Sequence, residues 1–320
     1  MTQLQAASRL LAPERRRSVA QRDLRELLIR IALTACGVFT IICTVLIIYV
    51  LVSNGLTFFG VAHVSPWQFF TGTEWAPLLA HPPKFGVLPL IMGTMLVAVI
   101  AMCVALPLGL LAAVWMSEYA SPRARAIVKP TLELLAGIPT VVLGFFALMV
   151  ITPFLQTTFN WTGFIKFDAF SAMSAGLAVG FLCLPTVCSL CEDALRMVPD
   201  SLRQGALGLG ASRFETAVRV LIPAALSGIV SAFLLAMARA VGETMIVAIA
   251  AGSMAVFTAD PSSQVQTITG HMVSMFLGDV SNFGVEYYSS YAVGAVLFFL
   301  TLSMTFAGHI VRKKYRQAYE

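Results

Sequence analysis

Charge is scarce in this 320-residue sequence. Asp, Glu, Lys and Arg make up only 12% of it, about half of the ~25% usual in soluble domains. That excludes an ordinary water-soluble fold. A phosphate-binding G-x-x-x-x-G-K-[ST] loop is also missing, because no lysine is followed by Ser or Thr. If ATP drives this protein, it is hydrolysed on another polypeptide. The apolar runs do not alternate as the strands of a membrane β-barrel would. No grouping of nucleophile, base and metal ligand is visible. His63, His81, His271 and His309 are scattered. Cys188 and Cys191 have the spacing of a redox or metal pair, but no second pair or neighbouring His completes a ligand set. All six cysteines fall inside apolar runs and read as small packing residues. A cleavable signal peptide is not expected, since the first apolar run starts near Ile31 and continues far beyond a signal-peptide core.

What is present is hydrophobic: 58% of residues, with a mean hydropathy of +0.84. Stretches free of Asp, Glu, Lys and Arg cover 31–73, 85–117, 134–165, 169–191, 220–238 and 287–311. Each is long enough for a membrane-spanning helix of roughly 20 residues. The reading is an all-α integral membrane protein with six spans, at about 31–52, 87–116, 127–155, 170–192, 220–252 and 287–311. Of the 21 Lys and Arg residues, all but Lys84, Lys166 and Arg239 fall before the first span, between spans two and three, between four and five, or after the sixth. The positive-inside rule makes that side cytoplasmic, together with both termini. The net charge of +5 is thereby explained by topology and needs no nucleic-acid partner. A basic cytoplasmic tail (1–29) precedes a transmembrane domain (30–312), and a short cytoplasmic tail (313–320) follows it. Segments 54–86 and 258–288 fall outside the cell. Phe58, Phe59, Trp67, Phe69, Phe70 and Trp75 in the first of these predict a segment lying along the membrane interface. Pro107, Pro139 and Pro185 predict interrupted helices, which suit a transport pathway or ordinary bundle packing.

Against this background "LRQGALGLGASRFETAVRVLIP", residues 202–223, is unusually polar. Ser201 with Gln204, and Ser212 with Glu215, have capping-box spacing. Gly208 and Gly210 stop the first helix, and Pro223 marks the entry to span five. Leu202, Ala206 and Leu209 share one helical face; Phe214, Val218 and Leu221 share another. Two short capped helices with apolar faces, outside the bilayer, suggest docking onto a partner; the plain alternative is a surface connector. Inside the bilayer, Arg239 and Glu243 are four residues apart and predict one helical face. A charge there costs ~2.5–3.5 kcal/mol on insertion scales. They either serve a passing anion, through the forked guanidinium of Arg239, or lock helices together. Thr140, Thr244 and Ser253 are possible neutral donors.

The 202–223 stretch resembles the coupling loop of ABC-importer permeases. Gln204-Gly205-Ala206 stands at the Glu-Ala-Ala place, Gly210 at the motif glycine, and Val220-Leu221-Ile222-Pro223 at its ending. "FFTGTEWAP", "LELLAGIPTVVLGFFAL", "LCEDALRMVPDSLRQGALGLGASRFET" and "ARAVGETM" extend the likeness to phosphate-specific permeases of the PstC type. The resemblance implies a six-helix, type I importer-like permease in a bacterial inner membrane. It implies a coupling loop (199–223) in which Gln204, Gly205, Ala206, Gly210, Arg213, Phe214 and Pro223 meet an ATPase subunit. It implies as partners a second, PstA-like permease, a PstB-like ATPase dimer carrying ATP and Mg, an external PstS-like phosphate-binding protein, and membrane lipid. No cofactor is expected on this chain, and none of its residues is expected to be catalytic. Arg239, Glu243, Thr140 and Thr244 would line the phosphate pathway. A permease for sulfate or molybdate and an ion-gradient-driven secondary transporter are the alternatives; the latter would leave the coupling loop unexplained.

Overall fold

The computed structural model describes the backbone of residues 3–77, 82–160, 166–278 and 284–315, and within these the side chains from Arg25 onward except 312, 314 and 315. The chain divides into two units, residues 1–53 and 54–320.

The first unit is helical and forms most of α1 (Gln3–Ala62). Leu33, Phe39, Ile42 and Leu46 are exposed along it, as expected of a helix whose solvent is lipid. Thr40 and Thr44 donate their hydroxyls to the carbonyls four residues back, both at 2.9 Å. Two polar groups are thereby satisfied within the helix. The expected tail continues into α1 without a break from Gln3.

In the second unit, α2 (Pro66–Thr71) starts where Ser65 Oγ accepts from Gln68 N at 3.2 Å. A two-stranded antiparallel pair follows, β1 (Trp75–Ala76) and β2 (Lys84–Phe85). Gly72 and Gly86 cross so closely that a Cβ on Gly86 would sit 2.3 Å from the Gly72 carbonyl carbon. The aromatic segment, expected along the membrane interface, turns several of its rings inward. Trp67 and Phe70 are exposed, but Phe58, Phe69, Trp75 and Phe85 are buried. Their rings meet edge to face at centroid distances between 5.1 and 6.3 Å. The short helix α2 splits its aromatics between two faces, and burying one face removes large apolar areas from solvent.

The centre of this unit is α3 (Leu88–Val114) against α7 (Ala172–Arg196). Small residues let the two backbones approach. A Cβ on Gly176 would meet Ile100 at 2.6 Å, and one on Gly109 would meet Val187 at 2.7 Å. Cys183, Cys188 and Cys191 are buried, unbridged members of this core. Pro107 and Pro185 lie inside these two helices, as expected.

Two spans differ from expectation. The third was expected from residue 127. Residues Pro122–Ala136 instead form α4, a separate amphipathic helix with no buried residue. Its charges, Arg123, Arg125, Lys129 and Glu133, do not suit the bilayer interior. Pro139 does not bend a span; it is the N-cap of α5 (Thr140–Phe146), which continues through a π-helical turn, Ala147–Ile151, into α6 (Thr152–Phe159). The fifth span was expected to be one helix to about Gly252. It is α11 (Leu226–Val241), broken at Gly242 and followed by α12 (Met245–Ala250). The helix before it, Arg213–Ala224, is bent from α11 by 74°. α13 (Ile268–Leu277) and α14 (Val285–Tyr315) complete the unit. Among the described residues, five helices are long and apolar enough to cross a membrane, six if the bent pair is one span.

Candidate coupling loop and intramembrane polar site

The loop after α7 folds into α8 (Asp200–Gly208), a turn, and the helix of α9 (Arg213–Thr216), a π-helical turn (Ala217–Leu221) and α10 (Ile222–Ala224). The turn is a Schellman motif. Ala211 N donates to Ala206 O at 3.1 Å and Gly210 N to Leu207 O at 3.0 Å. Gly210 closes it at φ +87°. The Ser212 capping box is present: Glu215 N donates to Ser212 Oγ at 3.2 Å, and Ser212 N to Glu215 Oε2 at 3.0 Å. These bonds from Ser212 hold the Glu215 carboxyl below its usual pKa. The Ser201–Gln204 capping box does not form. Pro199 is the N-cap and Asp200 already lies in the first turn, so Ser201 is inside the helix and cannot cap it.

α8 contributes nothing to the core. Leu202, Leu207, Leu209, Phe214 and Val218 are exposed, Leu209 at 93%. Gln204, Gly205 and Arg213 are also exposed, Ala206 is half-buried, and Pro223 is exposed in α10. Of the expected apolar faces only Leu221 is buried within the subunit. The rest is an apolar surface on two short helices joined by the Schellman turn.

This surface is tied to the spans by charges that sequence reasoning treated only as topology markers. Arg203 of α8 grips Glu118 bidentately, Nε to Oε2 at 3.1 Å and Nη2 to Oε1 at 2.9 Å, and also pairs with Asp200. Glu118 sits in the π-helical turn Trp115–Tyr119 that ends α3. That turn leaves the Met116 and Ser117 carbonyls open, and the Arg125 guanidinium takes both. Arg125 and Lys129, four apart on α4, reach the fully buried Glu192 of α7 at 3.4 and 2.7 Å. Arg196 approaches Glu192 at 3.6 Å, and Asp193 also binds Lys129. Burial opposes the charge of Lys129, but its hydrogen bonds to Asp193 and Glu192 prevail and raise its pKa. Breaking one partner from a buried cluster strands the other charges. The legible signal was the Arg125/Lys129 helical spacing facing a Glu-Asp pair at the end of an apolar run.

The expected Arg239–Glu243 pair is not formed. α11 ends at Val241 and Gly242 breaks the helix, so the two side chains do not share a helical face. Among the described residues, no acceptor lies within hydrogen-bond or ion-pair reach of Arg239, which is exposed on the isolated subunit. Glu243 is buried, and its Oε1 accepts from Ile246 N at 3.4 Å at the start of α12. Its main-chain oxygen accepts from Thr269 Oγ1 at 2.6 Å. Thr244 is the N-cap position of α12, with its hydroxyl on Gly242 O. Thr140 opens α5, which packs on α12. So α5 and α12 bring Thr140's helix beside the broken segment, and Arg239 stands apart as an uncommitted cation. No group of three or more metal-ligating side chains occurs among the described residues.

The chain as a whole has relatives and structural counterparts of known kind. The profile of the binding-protein-dependent transport system inner membrane component family matches residues 105–317. The chain belongs to that family. It is 36% identical to the probable ABC transporter permease protein YqgH of Bacillus subtilis, over 89% of each chain. It is 32% identical to the phosphate transport system permease protein PstC 1 of Mycobacterium tuberculosis, over 81% of this chain and 86% of that one. The permease fold recurs in a bacterial alginate ABC transporter (TM-score 0.63, 15% identity, 90% of this chain and 96% of that chain). It recurs also in the methionine transporter MetNI (TM-score 0.53, 18% identity, 72% and 95%). The family permease is thus an all-α, multi-pass membrane protein, and the expected fold class holds.

Proposed function

We propose that this chain is one transmembrane subunit of an ATP-driven phosphate importer, with ATP hydrolysed on a separate subunit. One observation carries the coupling part: the exposed apolar surface of α8 and α9, set by the Schellman turn and clamped to α3 through Arg203–Glu118. A secondary transporter has no use for such a surface. Phosphate as substrate draws on the likeness to PstC-type relatives. A PstA-like permease, a PstB-like ATPase dimer and a PstS-like external binding protein would complete the assembly. The importer would lie in a bacterial inner membrane with both termini cytoplasmic.

In this reading ATP closes the ATPase dimer and moves the two coupling loops together. The clamp passes that motion to α3, and the subunits alternate access. Arg239 contacts the passing anion. Its guanidinium has no hydrogen-bond or ion-pair partner among the described residues, and its fork matches two phosphate oxygens. Glu243 has a different part: it holds the start of α12 and keeps the broken span in place. Arg239→Gln should therefore abolish uptake of radiolabelled phosphate while the complex assembles normally. Glu243→Gln, which retains an acceptor for Ile246 N, should be much milder. Normal phosphate uptake by Arg239→Gln would remove Arg239 from the pathway.

A further inference from the structure

The break in the fifth span is held by groups outside that span. α11 ends at Val241 and α12 begins at Met245, so the carbonyl of Glu243 belongs to neither helix. A carbonyl freed inside a membrane must be answered by another group. Thr269, in the first turn of α13, answers it with its hydroxyl at 2.6 Å. A hydroxyl has one hydrogen to give. The Thr267 hydroxyl, 3.3 Å away, is therefore the donor to Thr269. Thr267 is itself fixed as the N-cap of α13, accepting from Gly270 N at 3.0 Å. Both threonines are buried.

The same segment is pinned to the far end of α12 and to α3. Val265 N donates at 2.9 Å to the carbonyl of Ala251, the C-cap of α12. Ile268 N donates to the Thr94 hydroxyl at 3.0 Å, and Thr94 in turn donates to Leu90 O within α3 at 2.7 Å. Gly93 permits the close approach, since a Cβ there would stand 2.5 Å from Gln266 O. Residues 265–269 thus form a strut with α12 on one side and α3 on the other. From Thr94, α3 runs on into the π-helical turn that holds Glu118, about 35 Å of helix. One end of that helix carries the coupling clamp and the other seats the strut. Arg239 stands in the last turn of α11, so the place where α11 stops decides how its guanidinium is presented.

We infer that Thr269 is a positioning residue of the anion pathway, fixing the break that presents Arg239, and that Thr94 ties this break to the helix that carries the coupling clamp. The inference rests on the importer reading and adds the groups through which motion of α3 reaches the anion. Neither threonine needs to touch the anion. The test uses the assembled transporter in proteoliposomes, with external binding protein, ATP and radiolabelled inorganic phosphate. The readout is phosphate moved per ATP hydrolysed, at equal amounts of assembled complex. Thr269→Val keeps the shape of the side chain and leaves the Glu243 carbonyl without its donor. It should lower the ratio about tenfold while ATP hydrolysis continues, the scale of one buried polar group left unpaired. Thr269→Ser keeps the hydroxyl and should stay within about threefold of wild type. Thr94→Val removes the acceptor for Ile268 N and should act like Thr269→Val. The double valine variant should also lose about tenfold, because groups in one network do not add, whereas independent effects would multiply to roughly a hundredfold. Thr152→Val is the matched control. Thr152 is also buried, but its hydroxyl bonds within its own span, to Ala147 O at 3.1 Å, and its ratio should be unchanged.

A wild-type ratio in Thr269→Val overturns the inference, as does equal impairment by Thr269→Ser or by Thr152→Val. Uptake and ATP hydrolysis that fall together, in step with lost complex, assign Thr269 to folding and overturn it too. A hundredfold loss in the double variant overturns the link through Thr94. In all these cases ATP-driven phosphate import by the wild type leaves the importer reading standing. If the wild type moves no phosphate when ATP is supplied, that reading fails and this inference fails with it.

Discussion

Replacing Gly210 by valine tests whether the coupling loop needs its exact shape. Gly210 adopts φ +87°, a region that costs an L-residue roughly 1–2 kcal/mol and a β-branched one more. Space is not the obstacle, since a Cβ there would meet nothing within 4 Å. The penalty therefore acts on the Schellman turn alone. At about 1–2 kcal/mol the population of the native turn relative to alternatives falls roughly 5- to 30-fold. The core does not involve α8, which buries no residue. The variant protein should thus reach the membrane in normal amount. What it should lose is the relative orientation of the Leu202–Leu209 and Phe214 surfaces. Co-purification of the ATPase subunit should drop by a similar factor, and phosphate uptake should drop with it. Gly205→Ala is the matched control. Gly205 lies within α8, its Cβ would also meet nothing, and alanine favours a helix by roughly 0.5–1 kcal/mol over glycine. That variant should associate and transport as wild type. Equal association and uptake by Gly210→Val and Gly205→Ala would refute the argument that the left-handed turn presents the partner surface.

Two further outcomes are expected. Glu118→Gln and Arg203→Gln should each uncouple ATP hydrolysis from uptake, since loss of one partner of a charged hydrogen bond costs about 1.5–3 kcal/mol. The double variant should recover assembly but not full coupling, and complete recovery of transport would make the clamp purely structural. In a cysteine-free background, a membrane-impermeant thiol reagent applied outside should label a cysteine at Ala259 and miss one at Ser212, both of which are exposed; strong external labelling at Ser212 would invert the topology.

Much of the fold was legible because lipid imposes a simple rule. A backbone in hydrocarbon must bond to itself, so charge-free runs mark spans with little ambiguity. The coupling loop was legible for a related reason. Ser212, Glu215 and Gly210 act through hydrogen bonds and dihedrals fixed within a few residues, and local chemistry is what spacing encodes. The failures share a different cause. Span three was begun too early because Ile127, Val128, Leu132, Leu134 and Leu135 are apolar. Their helix carries charges on its other face, and Gly137 and Pro139 detach it from the span. Ser201 was given a cap that Pro199 and Asp200 already made unnecessary.

The polar site shows where a helical-spacing argument stops. Arg239 and Glu243 share a face only if α11 continues past Val241. Gly242 decides that it does not, and a glycine inside an apolar run gives no sign of whether it bends, packs or breaks a helix. Its neighbours decide: the Thr269 hydroxyl takes the Glu243 carbonyl from 26 residues away, and Ile246 N takes the Glu243 side chain. The acidic residue is committed to scaffold, which leaves the cation uncommitted. The same logic applies to the Glu192 cluster, where Arg125, Lys129 and Arg196 were each legible as positive-inside charges. Positive charges near a membrane satisfy the topology rule wherever they point, so the rule cannot reveal that three of them enclose a buried carboxylate. An exposed Arg239 and a fully buried Glu192 thus invert what their sequence positions suggest: the intramembrane charge is free to meet a ligand, and the charge at the membrane edge is locked.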